Sequence, residues 1–385
     1  MTPALHEMRF RSSPHVELKR LGELAAEQRD AFRGLESDPE FYGLLVAKPP
    51  LTMNLKSVAR QTASLFQSLA TPARLDETIL GEDESMADVI DLVLDGILEI
   101  ESGDGFVSGG DAFHVVCPPT VNAPELRDAA ARLSRDALLH AQDLETSDSR
   151  ALAMALYRYN HIPRSPFWKA RFTNGDAILT HLGADRGPLR VLLDRSWILS
   201  RRTAGWLSWS STTPTPRNTS NVTYKLYVSP RPERIRDAFE IVVRVLSEFS
   251  AIPFKIGDSA AGLLRPDKLV AYFSTREQLG EAAAVLSREL DGCEAHGVPF
   301  TASLDDHGLL SWAVDPPANE RVLRWLRRES WRLWLVQRLG AALSIAKSAR
   351  SAAAAEPWHF AIERVRRHGV DVETWTPSAT LWSTP

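Results

Sequence analysis

Four cationic side chains and one phenol lie between positions 225 and 268, and these residue types could bind and process a phosphorylated group. They are Lys225, Tyr227, Lys255, Arg265 and Lys268. Several cations on one surface can hold a phosphate dianion, because each charge-assisted hydrogen bond contributes about 1.5–3 kcal/mol. Neighbouring positive charge and partial burial both lower the pKa of a lysine. One amine of such a cluster can therefore be neutral and act as a general base.

A cluster of this composition contains the groups that a β-elimination requires. A neutral lysine can remove the proton from the α-carbon of a phosphoserine or phosphothreonine. The remaining cations can stabilise the departing phosphate, and a phenol can protonate it. The alternative interpretation is that these lysines are solvated side chains on a half-buried sheet, and periodicity alone does not distinguish the two.

Two of the segments that carry these residues alternate between polar and apolar positions, as β-strands do. Residues 222–229 place Lys225 and Tyr227 on one side and apolar residues on the other. In residues 253–256, Lys255 likewise projects to the side opposite that of its two apolar neighbours. If the two strands belong to one sheet, the three side chains share a polar face.

The surrounding segments predict an α+β domain around this face. Apolar residues at helical spacing predict two helices, at residues 232–249 and 276–290. Further strands are predicted at residues 268–273, 298–304 and 309–314. Strands and helices mixed in this order indicate an α+β layer. Lys268 opens one of these strands and Arg265 precedes it, so both are expected to reach the polar face from its edge.

The N-terminal part has the pattern of the end of a winged helix. Residues 86–94 have apolar residues at helical spacing, and a strand, a glycine turn and a second strand follow up to residue 107. Such a module often binds DNA, but Asp88, Asp91 and Asp95 would repel phosphates. We therefore expect no nucleic-acid partner, and a peptide-docking or purely structural role instead.

The chain divides by composition into four predicted parts. Helices are predicted at residues 126–144 and 150–157, and residues 208–221 are predicted to be a polar, proline-bearing linker. The four parts are a winged-helix-like part at residues 1–118, a helical middle with the linker at residues 119–221, the α+β domain with the cationic residues at residues 222–317, and a C-terminal helical extension at residues 318–385.

The C-terminal extension has a basic, tryptophan-rich helix at residues 321–350. Basic aromatic helices can lie on membranes or bind partners. The run of small residues from Gly340 to Ala342 is instead typical of close helix packing, so a core helix is the favoured interpretation.

Composition excludes several classes of protein. The 385 residues carry a net charge of −4, which gives no general attraction to nucleic acid or anionic lipid. The two cysteines are far apart in sequence, which fits a reducing compartment. The sequence has no signal-peptide pattern and no apolar run of about 20 residues. We therefore predict a soluble, cytoplasmic protein without a membrane partner. No metal-binding or nucleotide-binding motif is present, and we expect no cofactor and no metal.

Three short motifs together resemble a known family. Residues 224–230, 253–256 and 263–273 resemble the lyase domain of class III lanthipeptide synthetases. They are also similar to the stand-alone lyases of class V lanthipeptide and thioamitide pathways and, more distantly, to the bacterial phosphothreonine lyase effectors. The resemblance implies a metal-free carbon–oxygen lyase that converts phosphoserine or phosphothreonine of a peptide into dehydroamino acids.

The resemblance also implies roles for the individual residues. Lys255 corresponds to the general base, Lys225 binds phosphate, and Lys268 corresponds to a further cation. Tyr227 occupies the position at which the family commonly has a histidine as general acid.

A second departure from the family lies at residues 303–307. The family often has an arginine in this stretch, whereas this chain has the acidic pair Asp305 and Asp306. The pair is expected to weaken phosphate binding unless Arg265 or His307 replaces the arginine.

The implied partners are a precursor peptide, a separate Ser/Thr kinase and further synthetase subunits, since the chain has no kinase motif. The alternative is a non-catalytic, lyase-like scaffold subunit that binds precursor peptide and partners a kinase and a true lyase. Tyr227, Asp305 and Asp306 favour that alternative.

Two histidines and two tryptophans are further candidates for the site. His161 is interpreted as structural or exposed, and His296 as a surface residue near a turn. Trp206 and Trp209 are expected either to line a substrate groove or to anchor the neighbouring loop.

Overall fold

The N-terminal part contains two small antiparallel sheets. In this computed structural model, residues 5–48, 55–75, 86–103, 105–117, 128–200, 203–212, 222–316, 329–351, 354–378 and 381 are described. The first sheet has the order β5-β1-β6-β7 and the second has the order β2-β3-β4. Their strands are β1 (Arg9–Ser12), β2 (Val16–Lys19), β3 (Gly43–Ala47), β4 (Lys56–Val58), β5 (Ala73–Arg74), β6 (Leu98–Ser102) and β7 (Gly105–Val107).

Short helices accompany these sheets. The α-helices are Ala26–Phe32, Arg60–Ser68, Met86–Leu94 and Gly109–Val116, and 3₁₀ turns lie at Leu5–Glu7, Leu21–Glu23 and Arg33–Ser37. The predicted order of helix, strand, glycine turn and strand is confirmed by Met86–Leu94, β6 and β7.

The acidic side of the helix Met86–Leu94 faces another part of the chain. Arg364 lies 2.5 Å from a carboxylate oxygen of Asp91 and 2.5 Å from one of Asp95. Burial alone would raise the pKa of Asp95, but Lys56 and Arg364 lower it to about 2. Two of the three acidic residues that argued against DNA binding, Asp91 and Asp95, therefore hold the C-terminal helix Pro357–Arg367 in place.

The middle of the chain is helical, as predicted. Its helices are Ala129–Asp143, Ser149–Arg158, Pro166–Arg171, Gly175–His181 and Gly187–Ser196. The prediction for residues 208–221 was wrong at its start, because Ser208 to Ser211 belong to a strand, and residues 213–221 lie outside the described residues. Buried Leu207 and Trp209 alternate with serines there, and this period of two was masked by the polar composition.

A seven-stranded antiparallel sheet forms the largest layer of the fold, with the order β13-β14-β10-β12-β11-β9-β8. Its strands are β8 (Trp197–Ser200), β9 (Trp206–Ser211), β10 (Tyr224–Val228), β11 (Phe254–Gly257), β12 (Leu269–Phe273), β13 (Ala302–Ser303) and β14 (Leu310–Val314). The predicted strand at residues 298–304 is shorter than expected. Two of the strands, β8 and β9, precede residue 222, where the lyase-like domain was predicted to begin.

Helices cover one face of this sheet. Leu226 and Val228 of β10 and Phe254 of β11 belong to a core shared with Phe239 and Leu279 of the adjacent helices. Those helices are Ile235–Glu248 and Arg276–Glu289, preceded by the 3₁₀ turn Pro232–Arg234, and the short helix Ala260–Leu263 follows β11. Helices and sheets mixed in this way confirm the predicted α+β class.

The opposite face of the central strands packs against the C-terminal part. Tyr227 of β10 and Ala313 of β14 belong to a second core together with Trp331 and Trp334. Both tryptophans lie on the helix Trp331–Lys347, here called the C-terminal core helix. A hairpin of β15 (Val370–Asp371) and β16 (Thr376–Pro377) follows later in the chain. The core-helix interpretation is confirmed for residues 331–347, and residues 321–328 of that prediction lie outside the described residues. No helix among the described residues is long and apolar enough to cross a membrane.

Gly340 permits the C-terminal core helix to cross the helix Ser149–Arg158 at close range. A Cβ atom at Gly340 would lie 2.7 Å from the backbone nitrogen of Ala153 and 2.7 Å from the backbone oxygen of Ser149. Both neighbours are backbone atoms of a packed helix and cannot rotate away. The run of small residues at this position therefore reflects steric contact.

We expect Gly340→Ala to lower the free energy of unfolding by about 1–3 kcal/mol, because overpacking outweighs the gain in helix propensity. Gly280→Ala is the matched control, since its Cβ would meet the nearest atom at 3.5 Å, an ordinary contact. The control is expected to raise stability by about 0.5–1 kcal/mol. Urea denaturation of both variants checks the pair, and equal stabilisation by both substitutions would contradict the close crossing.

Candidate active site

The strand register brings three of the predicted residues to one face of the large sheet. Lys225 pairs with Tyr272 and Tyr227 pairs with Val270 across β10 and β12. Lys255 on β11 also pairs with Val270, from its other side. Directly opposed residues of antiparallel strands project to the same face. Their side chains meet at a cavity of about 130 Å³.

Residues from four distant parts of the chain line this cavity. They are Tyr157, Trp206, Lys225, Tyr227, Lys255, Arg265, Asp267, Val270, Tyr272, Ser330 and Arg332. Arg265, predicted to reach the polar face from its edge, is among them.

A buried carboxylate lies at the base of the cavity and pairs with two arginines. The Asp267 oxygens lie 2.7 Å from Nε and 2.8 Å from Nη2 of Arg265, and 2.9 Å from Nη1 of Arg332. Burial alone would raise the pKa of Asp267, but Arg332 and Arg265 hold it well below its usual range. The carboxylate is therefore ionised and fixes both guanidinium groups.

The two arginines differ in what else they contact. Arg332 donates from Nε to the Pro299 carbonyl at 3.0 Å and from Nη2 to the Tyr157 carbonyl at 3.2 Å, whereas its Nη1 lies in ion-pair range of Asp267 without making a hydrogen bond. Arg265 donates from Nη2 to the Tyr157 hydroxyl at 3.1 Å. Among the described contacts none involves Nη1 of Arg265, and this nitrogen is the more accessible to a ligand because Arg265 is half-buried whereas Arg332 is fully buried.

The two lysines of the cavity are in different electrostatic states. The Lys225 ammonium lies 2.6 Å from Oδ2 of Asp315 and is buried with it. None of the ion pairs among the described residues includes Lys255. Its Nζ instead lies 4.0 Å from the ring centroid of Trp206. Burial and then Lys225 lower the pKa of Lys255 to about 8, so a substantial fraction of the amine is neutral slightly above neutral pH.

Phenol groups complete the lining. Burial, and then the charge of Asp315, raise the pKa of Tyr227 well above its ordinary value. The same two causes raise the pKa of Tyr272. Both phenols therefore keep their protons through neutral pH, which is the state that a proton donor requires.

Lys268 is not brought to the cavity. Its side chain is fully buried, and Nζ donates to the Pro230 carbonyl at 2.9 Å and lies 2.7 Å from Nδ1 of His296. Nε2 of His296 lies 2.6 Å from the Asn160 carbonyl, which can only accept, so Nε2 carries the proton and Nδ1 accepts from Lys268. Lys268 precedes the first residue of β12, and the strand alternation does not set its direction.

His296 belongs to this buried network and is not the surface residue that was predicted. Burial, and then Lys268, lower the pKa of His296 to about 3, so the ring is neutral. His161 is half-buried, and burial lowers its pKa to about 4. Trp206 lines the cavity, whereas Trp209 is buried in the core beneath the sheet.

The acidic pair lies away from the cavity. Asp305 accepts hydrogen bonds from the backbone N–H groups of His307, Gly308, Leu309 and Leu310, so it closes the turn before β14. Neither Asp306 nor His307 lines the cavity. His307 therefore does not take the place of an arginine in the cavity, and the weakening of phosphate binding by the pair stays a prediction.

Sequence reasoning missed most of the residues that support the site. Asp267 follows Arg265 by two positions, within the motif at residues 263–273. A single acidic residue between two cations is the feature that could have identified it. Arg332 had a weaker signal, as an arginine within a helix that is apolar on all sides. Tyr157 and Asp315 have no local pattern that separates them from structural residues.

Comparison with known proteins gives little. No protein-family model and no curated protein sequence matches the chain. Among solved structures, the effector protein from Pseudomonas syringae pv. tomato strain DC3000 is similar with a TM-score of 0.38 and 12% identity, over 65% of this chain and 99% of that chain. The effector protein from Pseudomonas syringae pv. syringae strain 61 is similar with a TM-score of 0.36 and 10% identity, over 65% of this chain and 98% of that chain. At these TM-scores neither likeness carries an argument about function.

Replacing Lys225 by Met is expected to raise the pKa of Lys255 from about 8 towards the ordinary lysine value of about 10.4. The substitution removes a neighbouring positive charge and leaves Asp315 unpaired, and both changes favour the protonated amine. Lys225→Arg retains the charge and is the control. A pH titration of the ¹³Cε signal of Lys255 in labelled protein measures both, and an unchanged pKa in Lys225→Met would contradict the coupling.

Proposed function

We propose that this chain is a phosphoamino-acid lyase, which removes phosphate from a phosphorylated serine or threonine side chain by β-elimination. The observation that carries the proposal is the state of Lys255. It is the lysine of the cavity that no described ion pair occupies, and its pKa of about 8 makes the neutral amine accessible. A general base needs this combination of a matched pKa and access to the ligand.

The size and charge of the cavity support a phosphate ligand. A volume of about 130 Å³ is well below the roughly 300–1,000 Å³ of pockets for larger small molecules and suits a phosphate group with a short side chain. Lys225, Lys255 and the two arginines outnumber the carboxylates Asp267 and Asp315. The local charge is therefore positive even when Lys255 is neutral, in a chain whose net charge is −4.

The proposed reaction begins at the α-carbon. The neutral Lys255 amine takes the α-proton and becomes an ammonium, and the electron pair of the C–H bond forms the double bond between the α- and β-carbons. The bond between the β-carbon and the ester oxygen breaks, and its electron pair leaves with the phosphate. The products are a dehydroamino acid residue and inorganic phosphate.

The remaining residues would assist the leaving group. Tyr227, which lines the cavity, would donate its proton to the ester oxygen, and deprotonated Tyr227 would then regain a proton from the Lys255 ammonium or from solvent. Lys225 and Nη1 of Arg265 would stabilise the charge that develops on the phosphate. Because Asp267 holds both arginines in fixed positions, little reorganisation would be needed during the reaction.

The biological setting follows from the sequence resemblance alone. Residues 224–230, 253–256 and 263–273 support a role in lanthipeptide-type peptide modification, in which the substrate is a precursor peptide. The chain has no phosphate-binding glycine-rich loop, so a separate Ser/Thr kinase would supply the phosphorylated residue. Further synthetase subunits would be additional partners. The winged-helix-like part is proposed to dock the precursor peptide.

A non-catalytic scaffold is the second candidate, and the ion pairs of the cavity favour it. Lys225 already pairs with Asp315, and both arginines pair with Asp267. Such a site could hold a phosphopeptide for a partner enzyme without turning it over. The two candidates differ in whether Lys255 has a chemical role.

The purified protein is expected to release phosphoric acid from a phosphoserine or phosphothreonine peptide without ATP or metal, a mass loss of about 98 Da. Lys255→Ala should lower kcat/KM by about 10²–10⁴-fold while the affinity for the phosphopeptide is retained, because only the general base is lost. Lys169→Ala, at an exposed lysine away from the cavity, is the matched control and should be unchanged.

Mass spectrometry separates the other outcomes. A loss of about 80 Da would show hydrolysis of the phosphate ester and would overturn the elimination. Binding of the peptide without any mass change in the wild-type protein would favour the scaffold.

The rate of elimination is expected to depend on the protonation of Lys255. Because the neutral amine is the active form, kcat/KM should rise tenfold per pH unit well below pH 8 and level off above it. In Lys225→Met the same rise should move to higher pH. A pH profile of kcat/KM that is flat between pH 6 and about 8 would show that another group is the base.

A further inference from the structure

The indole ring of Trp206 contacts two of the basic side chains in the cavity, although the proposed reaction does not use it. Nζ of Lys255 lies 4.0 Å from the centroid of this ring, and Cζ of Arg265 lies 4.9 Å from it. Both distances are within the roughly 6 Å over which the negative face of an aromatic ring attracts a cation. The ring is half-buried in the cavity lining, where solvent weakens this attraction less than at an exposed site.

Three glycines hold the backbone of Trp206 against β11. Trp206 on β9 is paired with Gly257 on β11, and the missing side chain of Gly257 leaves room for the indole ring beside Lys255. A Cβ atom at Gly257 would lie 2.4 Å from the backbone of Gly262, and one at Gly262 would lie 3.5 Å from the carbonyl oxygen of Gly205. Gly205 has a φ of 86°, in the left-handed region that favours glycine. Close backbone contacts therefore fix the point from which the ring projects.

Aromatic rings are the contacts that hold the amine of Lys255. No ion pair within the described part of the chain includes this amine, and its Nζ lies 5.6 Å from the ring centroid of Tyr272 in addition to its contact with Trp206. A carboxylate partner would fix the amine but would also keep it protonated. An aromatic face contacts a neutral amine by dispersion and attracts an ammonium electrostatically. A ring can therefore hold a general base in both of its protonation states.

We propose that Trp206 is a positioning residue for Lys255, and that its ring holds the amine in the cavity and stabilises the ammonium that forms when Lys255 takes a proton. This role rests on the proposed function, which identifies Lys255 as the general base. During the elimination, positive charge develops on Nζ of Lys255 while the α-proton is transferred, next to the ring of Trp206. Because the ring attracts the neutral amine less, it stabilises the transition state more than the ground state.

Two substitutions of Trp206 separate the effect of the aromatic face from that of the bulk. Phenylalanine and leucine are both smaller than tryptophan and close to each other in volume, so Trp206→Phe and Trp206→Leu admit solvent to a similar extent. Only Trp206→Phe retains an aromatic face. The pKa of Lys255, measured from its ¹³Cε signal, should be lower in Trp206→Leu than in Trp206→Phe by about 0.5–1. The charged or titratable groups around the Lys255 amine are the same in both variants and are Lys225, Arg265, Asp267, Tyr272 and Asp315.

Turnover of a phosphoserine peptide tests the consequence for catalysis. Well above pH 8, where Lys255 is neutral in both variants, kcat should be about three- to tenfold lower in Trp206→Leu than in Trp206→Phe. This factor is the most that a fall of about 0.5–1 in the pKa of the base can cause, because the ammonium is only partly formed in the transition state.

Trp312→Phe and Trp312→Leu are the matched controls. Trp312 on β14 is also half-buried, and Cζ of Arg276 lies 4.1 Å from its ring centroid, but it does not line the cavity. These two variants should differ neither in the pKa of Lys255 nor in kcat. Fluorinated tryptophans incorporated at position 206 alone keep the shape of the ring and weaken its negative face with each added fluorine. The pKa of Lys255 should fall stepwise along this series, which also provides the test if Trp206→Leu does not fold.

The outcomes separate the role of the ring from the lyase reaction. Equal pKa values of Lys255 in Trp206→Phe and Trp206→Leu, or a constant pKa along the fluorinated series, would overturn the role of Trp206. A lower pKa in Trp206→Leu supports the contact between ring and amine whether or not the wild-type protein eliminates phosphate. Failure of that elimination alone would overturn only the lyase reaction.

Discussion

The buried carboxylate of Asp267 is the constraint on which the site depends. A charge that is removed from water destabilises the folded state unless it is paired and hydrogen-bonded. Arg265 comes from the segment before β12, and Arg332 comes from the C-terminal core helix, so both must be in place before the carboxylate is satisfied. The large sheet and the C-terminal part are therefore joined at the point where the cavity forms, and Arg332 also holds the backbone of Tyr157.

This arrangement divides the cations of the cavity into two groups. The arginines and Lys225 are paired with buried carboxylates, which fixes their positions. Lys255 has aromatic rings beside its amine and a cation nearby, and both burial and that cation favour its neutral form. Lys268 shows that a lowered pKa is not sufficient for a role as base. Burial lowers its pKa to about 7, yet its amine contacts Pro230 and His296 and does not line the cavity.

Only the part of the site that depends on strand periodicity could be predicted from the sequence. Alternation with a period of two predicted that Lys225, Tyr227 and Lys255 share a face, and the antiparallel register places them there. The mixed order of helices and strands was sufficient to predict the α+β class. Arg332 and Tyr157 could not be assigned to the site, because no local pattern records which distant helix packs over a given strand. Residues at strand ends, such as Lys268, are equally unpredictable since alternation does not extend beyond the ladder.

The composition of one sheet face changes where the packing on it ends. Tyr227, Val270 and Ala313 are buried beneath the C-terminal part, and a face that packs against a core must be apolar or have its polar groups paired. On β9 and β8 the same face consists of serines and the exposed Ile198, and nothing in the described structure buries that isoleucine. Lys255 lies at the boundary between these regions, where an amine can be buried enough to lose its proton and still be reached from solvent. A general base requires both conditions, and a position within either region would meet only one of them.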